Sequence, residues 1–316
     1  MRVLGFDIGG TKCAVVLGEM TDDDITIVGK KKISTDLTVT PEEMIESLCV
    51  LADELLDGQA PDRIGVSCGG PLNSATGHVQ GPPNLPGWDD VPITDILNKR
   101  YGVAAKLQND ANACAVAEWK FGSGRGAQNM IFCTFGTGLG AGLILNNQLY
   151  DGTNGMAGEA GHIRLNSYGP VGYGKSGSFE GFCSGNGIAQ LGYTLALEAA
   201  QNGHRPSYFP EGTTAEQITA KTVADAALGG DAVAKEVYRL CGEYLGKGLS
   251  VMIDILNPEV IVIGSVFARS ESLLRESMQA VIDKEALPSS AACCRIVPAA
   301  LGESLGDYAA LATALL

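Results

Sequence analysis

One short pattern occurs twice in this chain, and it limits the available folds more than any other feature. The first copy reads Val3-Leu4-Gly5-Phe6-Asp7-Ile8-Gly9-Gly10-Thr11-Lys12, and the second reads Ile131-Phe132-Cys133-Thr134-Phe135-Gly136-Thr137-Gly138-Leu139-Gly140. Each is an apolar strand that runs into a turn of Gly and Thr and continues as a second apolar strand, Cys13 to Leu17 or Ala141 to Leu145. Two such hairpins can offer backbone N–H groups and threonine hydroxyls to a polyphosphate, since a side chain at the turn would hold the phosphates away from the amides. Asp7 stands where a carboxylate could hold Mg²⁺ through water, and Lys12 is a candidate phosphate counter-charge. A single Gly-rich turn usually only connects strands. The repetition makes Gly9, Gly10, Thr11 and Lys12, with Gly136, Thr137 and Gly138, candidates for binding a nucleotide.

Around these hairpins the pattern alternates between strands and helices. Strand-like runs cover 2–8, 13–17 and 25–33, and an amphipathic helix is expected from Pro41 to Leu56, with proline at its favoured first-turn position. A strand over 62–67 ends in Cys68-Gly69-Gly70-Pro71, and an ordered loop over 72–92 carries Asn84-Leu85-Pro86-Gly87-Trp88. A short helix (93–101), a strand (104–107) and a helix from Ala111 to about Phe121 follow. Beyond the second hairpin come a Gly-rich stretch over 150–186 and helices within 186–200, 222–228, 231–256 and 271–285. The continuous apolar run Glu259-Val260-Ile261-Val262-Ile263-Gly264 reads as a buried strand. An α/β chain of two domains is expected: a smaller one over 1–110, joined by the closing helix 303–316, and a larger one over 111–302.

The 316 residues are 45% hydrophobic and include 42 glycines, so there is core enough for two domains and many tight turns. A formal net charge of −14 repels phosphate backbones and argues against nucleic-acid or anionic-membrane partners. Nine cysteines without a C-x-x-C pair fit a reducing compartment, where free Cys acts as a small core residue. No run reaches membrane-spanning length, and Asp7 falls where a signal peptide would need apolar residues, so a cytoplasmic protein is expected.

Three polar clusters remain. Asp110 follows a strand and opens a helix, whose N-terminus favours the ionised carboxyl a general base needs; the plain alternative is a helix N-cap. Gly158-Glu159-Ala160-Gly161-His162 holds one of only three histidines, and Glu180 lies in Gly177-Ser178-Phe179-Glu180-Gly181. Carboxylates, an imidazole and the amides of Asn109 and Asn112 are the groups that satisfy sugar hydroxyls, each of which both donates and accepts.

Taken together, the Asp-Ile-Gly-Gly-Thr-Lys start, the 69–71 turn, Asn84-Leu85-Pro86-Gly87-Trp88, Asn109-Asp110, Gly136-Thr137-Gly138, Gly158-Glu159-Ala160-Gly161-His162 and Asn257-Pro258-Glu259 resemble, in order, the motifs of ROK-family sugar kinases. The resemblance covers nearly the whole chain. It implies the actin-like, hexokinase-type fold of two RNase H-like domains around a cleft, and ATP-Mg²⁺-dependent phosphorylation of a glucose-like hexose at its 6-hydroxyl. It implies Asp110 as general base and Gly70, Asn84, Asn109, Glu159, His162 and Glu180 as sugar contacts. Turns 9–12 and 136–138 would cradle phosphates, Gly264 and Ser265 would border adenosine, and the protein would be a homodimer. The same motifs would suit an N-acetylhexosamine, fructose or β-glucoside kinase.

One departure is clear. The family usually places three cysteines in Cys-x-Cys-Gly-x-x-Gly-Cys after the Glu-x-Gly-His motif, binding structural Zn²⁺ with that histidine. Here the segment reads Val171-Gly172-Tyr173-Gly174-Lys175-Ser176-Gly177-Ser178, so no structural Zn²⁺ is expected. Two further readings are a non-catalytic sugar sensor and an ATPase of the same fold. The acidic composition, the start directly on a strand and the retained Asp110 speak against the sensor, and the 158–162 cluster speaks against the ATPase.

Overall fold

The computed structural model describes every residue except Asp22. It divides into two compact units: residues 1–128, 142–157 and 300–316 form one, and 129–141 with 158–299 form the other.

The first unit opens with β1 (Arg2–Ile8), β2 (Lys12–Met20) and β3 (Ile25–Ser34), a meander of antiparallel strands. Helix α1 (Pro41–Leu56) follows, with Thr40 and Glu43 forming a reciprocal capping box and Met44, Ile45, Leu48 and Ala52 turned into the core. Then come β4 (Arg63–Cys68), the two-residue strands β5 (Leu72–Asn73) and β6 (His78–Val79), α2 (Ile93–Tyr101), β7 (Ala105–Asn109) and α3 (Asp110–Phe121). The main sheet has the order β3-β2-β1-β4-β7, with β1, β4 and β7 parallel.

The chain continues through β8 (Met130–Phe135), β9 (Leu139–Leu145) and β10 (Gln148–Tyr150). The Gly-rich stretch carries the short strands β11 (Val171–Gly172) and β12 (Lys175–Ser176), then α4 (Phe179–Phe182). Helices α5 (Gly185–Gln201), α6 (Ala220–Leu228) and α7 (Ala232–Leu256) lead to β13 (Val260–Ile263), α8 (Val266–Glu285), α9 (Pro288–Cys293), β14 (Arg295–Pro298) and the closing α10 (Leu305–Thr313). The second sheet runs β10-β9-β8-β13-β14 and so repeats the connectivity of the first. Among the described residues no helix is long and apolar enough to cross a membrane.

The closing helix α10 reaches its sheet through two glycines. A Cβ at Gly5 would meet Ala310 at 3.0 Å, and one at Gly65 would sit 2.1 Å from the Ala310 carbonyl oxygen. Alanine on the helix and glycine on two neighbouring strands let backbones approach where larger residues would force them apart. Helix α3, expected at the start of the second domain, is grouped with the first unit because it packs along α10. Helix α8 begins five residues earlier than the apolar period suggested, its first turn set off by non-helical backbone at Ser270 (φ −126°). The edge strand β14, four residues ending in proline, is too short to announce itself in the sequence.

Candidate active site

In the first unit, parallel pairing places Ile8 opposite Cys68 and Cys68 opposite Asn109. The carboxyl ends of β1, β4 and β7 therefore lie side by side, the edge of an α/β sheet at which ligands bind. Register alone gathers Asp7 to Gly10, Gly69-Gly70 and Asn109-Asp110 from three distant parts of the chain. Asn84 joins them from the loop before α2, which Leu85 and Trp88 anchor in the core while Asn84 stays exposed.

Asp110 is not the helix cap. Asn109 is: its Oδ1 accepts from Asn112 N at 2.7 Å, and Asp110 is the first helical residue. Beneath them buried Gln108 accepts from Asn109 N at 2.8 Å and from Asn112 Nδ2 at 3.3 Å, so the turn that presents the acid is tied from below. The Asp110 side chain faces solvent and its Oδ1 accepts from Ala111 N at 2.8 Å. Even so, protein crowding around the carboxyl outweighs the backbone N–H and raises its pKa, reversing the balance expected from the helix terminus alone.

Asp7 is also pushed up, to about 6, chiefly by burial, then by the charge of Asp307, with Lys30 opposing and Asp110 adding a smaller push. Lys30 Nζ lies 2.6 Å from Asp307 Oδ1 at the start of α10. A half-buried carboxylate crowded by two others suits a hydrated divalent cation, which would relieve this repulsion through oxygen ligands and water. The donor chemistry therefore fits Mg²⁺ held by Asp7 through water.

Each glycine turn closes on itself, over four residues in the first and three in the second. Gly9 N donates to Lys12 O at 3.2 Å and Gly136 N donates to Gly138 O at 3.0 Å. Each turn thereby uses its first amide to close itself, which takes the Gly9 and Gly136 N–H groups out of the cradle. Thr11, Lys12 and Thr137 are exposed. Gly10 also has a duty invisible in the sequence: a Cβ there would stand 2.4 Å from both Asn84 Cβ and the Asn84 carbonyl oxygen.

In the second unit, β8 and β13 are parallel with Cys133 opposite Ile263, so the 136–138 turn and Gly264-Ser265 leave the sheet at one edge. Thr134 Oγ1 braces the turn by accepting from Gly140 N at 2.8 Å. Ser265 holds a left-handed backbone (φ 54°, ψ −109°), which a serine adopts only under strain. Glu159 is exposed and His162 half-buried, on a short 3₁₀ turn over 160–162. Glu180 Oε2 accepts from Leu139 N at 3.0 Å.

The donors for a structural Zn²⁺ are not in place. Val171 has none, Ser178 Oγ accepts from Gly181 N at 3.0 Å as the cap of α4, and buried Cys183 points its thiol to Cys241 O. Tyr173, at the middle cysteine position, instead meets the His162 ring edge to face at 5.3 Å, and Lys175 Nζ donates to His162 O at 2.7 Å. Gln190 of α5 pairs with both N and O of Val171, each at 2.9 Å. These hydrogen bonds tie the segment together as a brace.

Sequence reasoning missed Lys175, Gln190, Lys30, Asp307 and Glu118. Fully buried Glu118 accepts from Ser123 N at 2.8 Å, Ala300 N at 3.2 Å and Leu301 N at 2.9 Å, joining the end of α3 to the segment that enters α10. A lone acid on the Ala-Val face of α3 was the available signal.

A glycine turn repeated on two sheets of like connectivity matches the actin-like fold of the ROK hexokinases and glucokinases among solved structures. The chain belongs to the ROK family, whose pattern it matches over residues 3–315. It is 29% identical over 309 residues to a glucokinase of Thermotoga maritima, covering 97% of this chain and 95% of that one. A glucokinase of Halalkalibacterium halodurans is 32% identical over 310 residues, with 96% and 92% covered. Among solved structures, the ROK hexokinase of Thermus thermophilus superposes with a TM-score of 0.80 at 27% identity, covering 100% of this chain and 98% of that one. A ROK glucokinase of Streptomyces griseus in complex with glucose and AMPPNP gives 0.77 at 28% identity, covering 100% and 99%.

Proposed function

We propose that this protein phosphorylates a glucose-like hexose at its 6-hydroxyl with ATP, Asp110 acting as the general base. The observation that carries the reading is the state of Asp110: Asn109 does the capping, so the carboxylate stands uncommitted to the cap at the sheet edge that also carries Asp7 and Gly70. The glucokinase relatives support the sugar and the donor.

In this mechanism Gly70, Asn84, Asn109, Glu159, His162 and Glu180 hold the sugar hydroxyls. Asp110 takes the proton of the 6-hydroxyl as that oxygen attacks the γ-phosphorus and the β–γ bridging bond breaks to release ADP. The remaining amides of turns 9–12 and 136–138 and the Lys12 ammonium hold the phosphates, and Gly264 and Ser265 border the adenosine. Bound Mg²⁺, held through water by Asp7, would neutralise charge developing on the transferred group. Most of the rate enhancement then comes from positioning and electrostatics.

ADP release measured with and without a panel of glucose, N-acetylhexosamines, fructose and β-glucosides tests this. Sugar-dependent ADP release is expected, with Asp110→Asn lowering turnover by about 10²–10⁴-fold while sugar binding persists. Near-normal turnover in that variant would remove Asp110 from the chemistry. Sugar binding without ADP release would instead favour a sensor, in line with the 27% identical relative described as a putative xylose repressor of Caldicellulosiruptor. ADP release indifferent to sugar would mark an ATPase.

A further inference from the structure

Glu180 stands where three separate segments meet, and each meets it with a glycine. A Cβ on Gly138 would come within 2.6 Å of Glu180 Oε2, one on Gly172 within 2.9 Å of Glu180 Cβ, and one on Gly161 within 3.2 Å of that same atom. These glycines belong to the phosphate turn, to β11 of the brace, and to the 3₁₀ turn that carries His162. The Glu180 backbone is fixed in turn by α4, whose cap Ser178 is fully buried and whose Phe179 ring packs against Gly248 of α7. From this seat Oε2 accepts the N–H of Leu139, the amide next after Gly138.

We infer that Glu180 is a positioning residue that couples sugar occupancy to the shape of the 136–138 phosphate turn, an inference that rests on the kinase reading above. A carboxylate offers two oxygens. With Oε2 on Leu139 N, Oε1 is left for a sugar hydroxyl. A hydroxyl bound there restricts the side chain to the rotamer that holds Leu139 N, so the sugar stiffens the turn that must grip the phosphates. Coupling between two ligands is reciprocal, so nucleotide in the turn must equally favour the sugar.

Gly138→Ala tests this link from the side of the turn, and the Glu180 variants test it without adding a side chain beside the phosphates. Gly138 does not use a left-handed backbone, and the only atoms its methyl would meet are at the flexible end of Glu180. The variant should therefore fold and displace the carboxylate. Sugar affinity is measured by calorimetry with and without AMPPNP–Mg²⁺, using the panel sugar with the highest turnover, in the unaltered protein, Gly138→Ala, Glu180→Ala and Glu180→Gln. AMPPNP–Mg²⁺ should tighten sugar binding roughly 5- to 100-fold in the unaltered protein. This ratio should fall to about one in Gly138→Ala and Glu180→Ala and be partly retained in Glu180→Gln, which keeps an acceptor oxygen. Gly138→Ala should also raise the KM for sugar although it lies in the phosphate turn. A change in the KM for ATP alone, or a ratio unaltered in Glu180→Ala, would overturn the link and leave the kinase reading standing. If Gly138→Ala fails to fold, the ratio in Glu180→Ala decides. If no panel sugar binds or is phosphorylated, the kinase reading falls and the link with it.

Discussion

Asp7, the carboxylate proposed to hold Mg²⁺ through water, is costly to the fold. Its carboxyl, raised to about 6, is ionised in the unfolded chain from about pH 4, so the native state loses stability as the pH climbs between those values. Above pH 6 the penalty is nearly complete, of the order of 3 kcal/mol. Asp7→Asn should therefore raise the melting temperature at pH 8 and leave it nearly unchanged at pH 4. Mg²⁺ should stabilise the unaltered protein at pH 8 more than the variant. Thermal melts at the two pH values, with and without Mg²⁺, check both statements, and an Asp7→Asn protein less stable at pH 8 would refute them. Asp110 is shifted in the same direction, so the acid limb of the kcat/KM profile should lie above the usual carboxylate range.

At the scale of elements, stability near the site depends on side chains that terminate backbone rather than fill core. Glu118 supplies acceptors to three amides from a fully buried position. Glu118→Ala should cost about 2–4 kcal/mol, because those amides would lose a charged acceptor where water cannot readily replace it. Chemical denaturation would show the loss, and a change within experimental error would mean that the 300–301 segment is held by other contacts. The helices and hairpin strands were legible beforehand because their signals are local: a 3.6-residue apolar period with Thr40-Pro41 at its start, or an apolar run broken by Gly-Gly. Strands β10 and β14 and helix α9 were not, since three to six residues carry too little pattern and depend on a neighbour for their hydrogen bonds.

For the molecule as a whole, the brace over residues 160–190 bears on composition. Lys175, Ser178 and Gln190 bond the backbone of this segment, Tyr173 meets the His162 ring, and the three positions where the family places cysteines hold Val171, Tyr173 and Ser178. Purified protein should carry zinc well below one equivalent per chain, and activity after chelation should return with Mg²⁺ alone. Elemental analysis showing one tightly held zinc per chain, or activity restored only by zinc, would contradict this.

The sequence by itself determined the paired hairpins, the alternation that builds two similar sheets, and the strand ends that carry Asp7, Gly70, Asp110 and Gly138. All of these follow from short-range pattern, because a turn or a strand end is set by residues within a few positions of one another. Tertiary structure decided what those residues touch. Gly10 must be small for Asn84 and Gly138 for Glu180, the cap belongs to Asn109 rather than Asp110, and the protein crowded around the Asp110 carboxyl outweighs the helix terminus in shifting its pKa. Contacts between segments far apart in the chain, and the crowding that shifts a carboxyl, exist only once strands are in register and helices are packed, so no local reading of residues could supply them.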